Sequence, residues 1–205
     1  MKIIFFGDSI TARGDTESHG FIKNIRKEVK KSSIIVSKGI GGNKVTDLEK
    51  RLQKDVISEK PDRVIILIGI NDVWHTVCGG QVPLPLFSST YNKIIETLKE
   101  NGIEVFVCTP TVIGEAHQGE NKCDTLLKEY VEKIRFIAHQ HQIHLIDIHQ
   151  AFLDYYSIHG YINKDSTVHN RTKLYYGKLT HDGVHLNSLG NEVLSNNLIN
   201  CCCPH

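Results

Sequence analysis

The sequence predicts an α/β fold in three layers, a doubly wound sheet of about five parallel strands with helices on both faces. Three observations predict it. Short apolar runs alternate along the chain with longer segments of helical periodicity. No linker, internal repeat or low-complexity tract interrupts that alternation. The length, 205 residues, suits one domain, taken here as 1–205. A chain of this size buries ~70% of the surface it exposes when unfolded, so it needs neither metal nor disulfide to hold a core.

The first run, Lys2 to Phe6, is continuously apolar from Ile3 onward, as expected of a strand buried on both faces. The second is Ile34 to Ser37, and the third, Arg63 to Ile68, is dense in Ile and Val. Ile103 to Cys108 and His144 to Ile148 complete the set. Between them lie helical patterns over Phe21 to Lys31, Val45 to Ser58, Ser89 to Glu100 and Cys123 to Gln142, with a last helix from Ser188 to Asn200. Two long segments remain as loops. Cys78 to Ser88 carries two glycines and two prolines, and Ile158 to Thr180 is polar, with Tyr161, Tyr175 and Tyr176 in it. Residues 200–205 are expected to form a disordered tail.

The bulk chemistry narrows the function. With 24 basic and 23 acidic residues the formal net charge is +1, without the basic excess of a nucleic-acid binder. The cluster Lys23 to Lys31 reads as a solvated helix face. The opening run is too short for a signal-peptide core, and no stretch has membrane-spanning length, so a cytoplasmic protein without a membrane span is expected. Cys78, Cys108 and Cys123 are scattered, and Cys201 to Cys203 are consecutive, which fits no disulfide framework. The triple is read as a frayed reduced tail in preference to an S-acylation site. His139, His141, His144 and His149 show no metal-ligand spacing, and no metal is expected.

Four motifs carry chemistry. Gly7-Asp8-Ser9-Ile10 follows the first strand, where a doubly wound sheet binds its ligands, and Ser9 is a candidate nucleophile. Gly39-Ile40-Gly41-Gly42-Asn43 follows the second, where glycines let backbone N–H groups approach an anion. Gly69-Ile70-Asn71-Asp72 follows the third, and Asn71 can donate to a developing oxyanion. Asp182-Gly183-Val184-His185 precedes the last helix; a carboxylate three residues before a histidine can turn back to Nδ1 and leave Nε2 as a base. Each motif taken alone also fits a helix cap, a turn or a surface pair. Together they are stronger: three follow successive strands at the edge where a site should form, and the fourth supplies the base that a serine needs. No Gly-x-Ser-x-Gly elbow occurs, since Thr11 stands where its second glycine would be, which argues against an α/β-hydrolase.

These four blocks resemble the SGNH, or GDSL-like, hydrolases, named for Ser, Gly, Asn and His, which here are Ser9, Gly42, Asn71 and His185. Lys38 to Asn43, Asp47-Leu48, Asp55-Val56-Ile57, Lys60-Pro61-Asp62 and Gly69 to Trp74 are similar to intracellular bacterial acetylesterases acting on acetylated xylo-oligosaccharides. Many relatives have Ser where this chain has Gly41, and the Ile158 to Thr180 segment is longer than in those acetylesterases.

The resemblance implies a flavodoxin-like sheet and a cofactor-free serine esterase acting on a small-molecule ester. Ser9 is then the nucleophile, His185 the base and Asp182 its orienting acid. The Ser9 and Gly42 N–H groups and the Asn71 amide hold the oxyanion, and Asp8 and Trp74 contact substrate. Acetyl on a carbohydrate hydroxyl is the expected ester. A lysophospholipase-like or thioesterase-like acyl hydrolase, and a non-catalytic phosphate-binding module on the same fold, are the alternatives. The run Val82 to Phe87 is apolar enough to line an acyl channel or to bury itself in a homo-oligomer contact.

Overall fold

The computed structural model describes residues 1–29, 33–74, 81–113, 122–160 and 177–203. Its strands are β1 (Lys2–Gly7), β2 (Ile34–Gly39), β3 (Arg63–Leu67), β4 (Glu104–Cys108) and β5 (His144–Ile146). Its helices are α1 (Ser9–Thr16), α2 (Phe21–Glu28), α3 (Val45–Asp55), α4 (Ile70–Trp74), α5 (Leu84–Glu100), α6 (Lys122–His141), α7 (Ile148–Ile158) and α8 (Ser188–Leu198). The strands pair in parallel, in the order β2-β1-β3-β4-β5. This is the flavodoxin-like order, with its switch point between β1 and β3.

The register matters most for the site. Gly7 pairs with Gly39 and with Leu67, and Leu67 with Cys108. Four strands therefore end level, and the segments after β1, β2 and β3 emerge side by side. The core supports this edge from below: Ile3 to Phe6 and Val64 to Leu67 are all buried. The Phe5 ring meets Phe21 edge-on at 5.6 Å. On one side α3, α5 and α6 pack against one another, and on the other α2 bridges α1 and α8, with α7 against α8.

The differences from expectation have local causes. The short helices α1 and α4 are absent from the helical segments read in the sequence; each is only about one or two turns long and carries no amphipathic period to read. Asp147 ends β5 early because its side chain accepts from Gln150 N at 3.2 Å and caps α7. Helix α5 begins at Leu84 instead of Ser89, with proline in its first turn, where a missing N–H costs nothing. Val82 and Phe87, the two ends of the apolar run, are buried in the core, while Leu86 between them is 49% exposed.

The C-terminal segment is a correction. Ile199–Cys202 forms a short 3-10 helix and Cys202 is fully buried. Arg63, only 3% exposed, donates through Nη1 to the Cys201 carbonyl. Its Nη2 lies 2.7 Å from Glu104, and its Cζ 4.5 Å above the Phe106 ring. A buried guanidinium needs acceptors, and the chain end supplies one, so residues 200–203 are docked and not frayed. Among the described residues no helix is long and apolar enough to cross a membrane.

Candidate active site

Ser9 opens α1 directly after β1, and Asp8 is the N-cap, its Oδ1 accepting from Ile10 N at 2.9 Å. Asp8 itself is 1% exposed. Its carboxyl group is buried and serves as a cap to α1. Burial pushes its carboxyl up to about 7, with the neighbouring Asp72 adding to the rise, while the Ile10 N–H and Arg51 oppose it. Asp8 Oδ2 finds no protein partner.

The histidine arrives from the far end of the chain. Asp182, Gly183, Val184 and His185 form a tight loop closed by a bridge between Thr180 and Leu186 and by His181 N donating to His185 O at 2.8 Å. Gly183 sits at φ +89, a left-handed conformation that favours glycine. Its N–H donates to Thr180 Oγ1 at 3.0 Å. The loop turns Asp182 onto its own neighbours. Oδ1 accepts from Val184 N at 3.1 Å and His185 N at 2.8 Å, and Oδ2 lies 2.7 Å from His185 Nδ1. Partial burial works to raise the Asp182 carboxyl, but these bonds from His185 and Val184 outweigh it and hold it below its ordinary range.

His185 Nε2 in turn lies 3.0 Å from Ser9 Oγ. Ser9, His185 and Asp182, chosen from sequence, thus form one continuous chain of hydrogen bonds across 176 residues of sequence. With the Nδ1 proton directed at a carboxylate, Nε2 is left to accept the serine proton.

The two donor motifs lie beside it. Gly42 adopts φ +75, which turns the loop after β2, and a Cβ placed on Gly41 would come to 3.9 Å from Ser9 Cβ. Asn71 stands in α4, 6% exposed, with Nδ2 donating to Asn43 O at 3.1 Å. An amide nitrogen carries two N–H donors, so this bond fixes the side chain and uses one. Asp72 caps α3 from across the edge, accepting from Val45 N at 3.1 Å. Burial drives its carboxyl to about 7 as well, against the Val45 N–H. Trp74 ends α4 and is 38% exposed. The tyrosines 161, 175 and 176 and Cys78 lie outside the described residues.

Three of the four histidines between residues 139 and 149 have separate partners. His141 pairs with Asn92 at 2.8 Å, His144 stacks on Phe106, and His149 Nδ1 lies 2.7 Å from Thr111 O. Among the described residues no group of three or more His, Cys, Asp or Glu could hold a metal ion.

Reading the sequence missed Arg51, whose guanidinium bonds to Gly7 O, Lys38 O and Asn43 Oδ1 beneath the site. The available signal was its place on the buried stripe of α3, between Leu48 and Leu52.

Comparison with known proteins agrees with this geometry. Residues 5–193 match the GDSL-like Lipase/Acylhydrolase family. An acetylxylan esterase of Geobacillus stearothermophilus is 30% identical over 173 residues, which span 74% of this chain and 77% of the relative. The crystal structure of an acetyl xylan esterase, AlAXEase, superposes with a TM-score of 0.85 at 34% identity, covering 98% of this chain and 99% of that one. Axe2, an acetylxylan esterase from Geobacillus stearothermophilus, superposes with a TM-score of 0.78 at 26% identity, covering 97% and 92%. Its catalytic mutants replace a serine, an aspartate and a histidine, the last two being three residues apart.

Proposed function

The chain belongs to the GDSL-like lipase/acylhydrolase family, and we propose that it is a serine esterase that removes acetyl groups from carbohydrate hydroxyls. The observation that carries the mechanism is the bonded series Ser9–His185–Asp182 at the level edge of the sheet. The substrate class rests on the acetylxylan esterases to which the chain is similar over most of its length.

In this reading Ser9 Oγ attacks the ester carbonyl as His185 Nε2 takes its proton. Asp182 holds the imidazole in the tautomer that permits this and stabilises the cation that forms. The carbonyl oxygen gains negative charge in a pocket of donors: the Ser9 and Gly42 N–H groups and the second N–H of Asn71. Donors preorganised for that charge lower the barrier more than they tighten substrate binding. His185 returns the proton to the leaving alcohol, and water repeats the sequence in reverse to release the acid.

Val82 and Phe87 are committed to the core and Leu86 is the one large hydrophobic of this run that stands exposed, which favours a short acyl group, because a long chain needs a broad open apolar trough. Trp74 stands exposed on the helix that carries Asn71, where its ring can meet a sugar face.

The test is acetate release from acetylated xylo-oligosaccharides together with covalent labelling by a fluorophosphonate. We expect both in the parent protein and neither in Ser9→Ala, whose unfolding should be unchanged. Labelling that persists in Ser9→Ala would reassign the nucleophile, and labelling without acetate release would reassign the substrate.

A further inference from the structure

Arg51 faces the core from α3, its side chain only 12% exposed. Its donors reach four acceptors on different segments. Nη2 bonds to Gly7 O at 2.8 Å, Nη1 to Lys38 O at 2.9 Å and to Asp55 Oδ2 at 2.9 Å, and Nε to Asn43 Oδ1 at 2.8 Å. The Cζ atom sits 4.4 Å over the Phe6 ring. One planar group thus grips the last carbonyl of β1, two residues before Ser9, the end of β2, and the loop that carries Gly42.

The grip extends one bond further. Asn43, held through Oδ1, presents its own carbonyl to Asn71 Nδ2 at 3.1 Å. Had Arg51 served helix stability alone, Asp55 one turn away would have satisfied it. Instead three of its four acceptors belong to the segments from which the oxyanion donors are drawn. Only a rigid fork with donors in fixed directions spans them; a lysine offers one point charge on a shorter reach.

We propose that Arg51 is a positioning residue for the reaction, one that sets the oxyanion pocket by fixing the Gly42–Asn43 loop and, through Asn43, the Asn71 amide. The inference rests on the esterase reading above and adds to it a residue that touches no substrate. Arg51 acts on the transition state through the placement of donors, so its loss lowers kcat and leaves KM nearly unchanged.

The test is a double-mutant cycle on the full chain with p-nitrophenyl acetate. Arg51→Lys should lower kcat by about tenfold or more, since displacing catalytic groups by about an ångström costs on that scale, with KM within about twofold. In an Asn71→Ala background the same change should lower kcat by a clearly smaller factor than in the parent, because one of the two donors it positions is already gone. Asn43→Ala, which cuts the link while leaving Arg51 its other three acceptors, should behave likewise and decides the matter if Arg51→Lys does not fold.

Full multiplicative losses in the double mutants, an unchanged kcat in folded Arg51→Lys, or a raised KM with kcat held would overturn the inference. Failure of the esterase reading looks different: no fluorophosphonate labelling of the parent, or an Asn71→Ala protein with undiminished kcat, and the inference then falls with it.

Discussion

Replacing Asp182 by asparagine should separate turnover from stability. The carboxylate makes three bonds: Oδ1 takes the N–H groups of Val184 and His185, and Oδ2 takes the ring of His185 at 2.7 Å. Asparagine keeps the first two through its own Oδ1. In place of the third it presents an NH₂ group to Nδ1, which must then become an acceptor. The imidazole proton moves to Nε2, 3.0 Å from Ser9 Oγ, and the base can no longer take the serine proton. A histidine held in the wrong tautomer loses ~10⁴ in kcat, about 5.5 kcal/mol on the barrier.

The stability change should be far smaller. The Asp182 side chain is 53% exposed and that of His185 22%, and an exposed pair is worth about 1 kcal/mol or less. The assay is kcat for p-nitrophenyl acetate beside urea unfolding of the same protein. A folded Asp182→Asn enzyme within about tenfold of the parent kcat would refute the argument, because the tautomer would then not depend on this carboxylate.

Four further outcomes are expected. Asp8 holds a proton in the native state up to about pH 7 that the unfolded chain releases near 3.8, so it lowers stability as pH rises through that window, by on the order of 4 kcal/mol; Asp8→Asn, which still caps α1, should flatten that part of a stability-versus-pH curve, and an unchanged curve would refute the burial argument. Asp182 has the opposite sign: its lowered carboxyl stabilises the fold above the unfolded value and that contribution is lost at more acid pH. Deleting residues 201–205 strips Arg63 of the Cys201 carbonyl and uncovers the Cys202 pocket, and should cost about 3 kcal/mol by chemical denaturation, against less than about 0.5 for a frayed end. Finally, kcat/KM for p-nitrophenyl acetate should exceed that for the octanoate ester; the reverse order, without acetate release from acetylated sugars, would favour a lysophospholipase-like or thioesterase-like role.

Much of the site was legible because the fold does simple bookkeeping with parallel strands. Gly7, Gly39 and Leu67 end level, so motifs that follow successive strands meet in space although they lie about thirty residues apart in sequence. Asp182 and His185 were legible for a different reason. Their bond is local, closed by a glycine in a left-handed turn, and a spacing of three is enough to read it. Burial of charge was not legible, because it depends on acceptors that only the assembled fold supplies. Asp8 has a side chain suited to a ligand, yet its place below Ser9 makes it a cap with one oxygen unpartnered. Arg63 opens the third strand, and only the assembled fold shows it as the dock for residues 200–203. The partners of Arg51 were equally hidden, because the carbonyls at the ends of β1 and β2 and the asparagine amide oxygen that bind it come from segments up to 44 residues away. The residues that do chemistry therefore announce themselves by type and by position after a strand. Those that hold them announce themselves only as polar side chains on an apolar stripe, and Arg51, one turn beyond Leu48, carried that signal in the sequence itself.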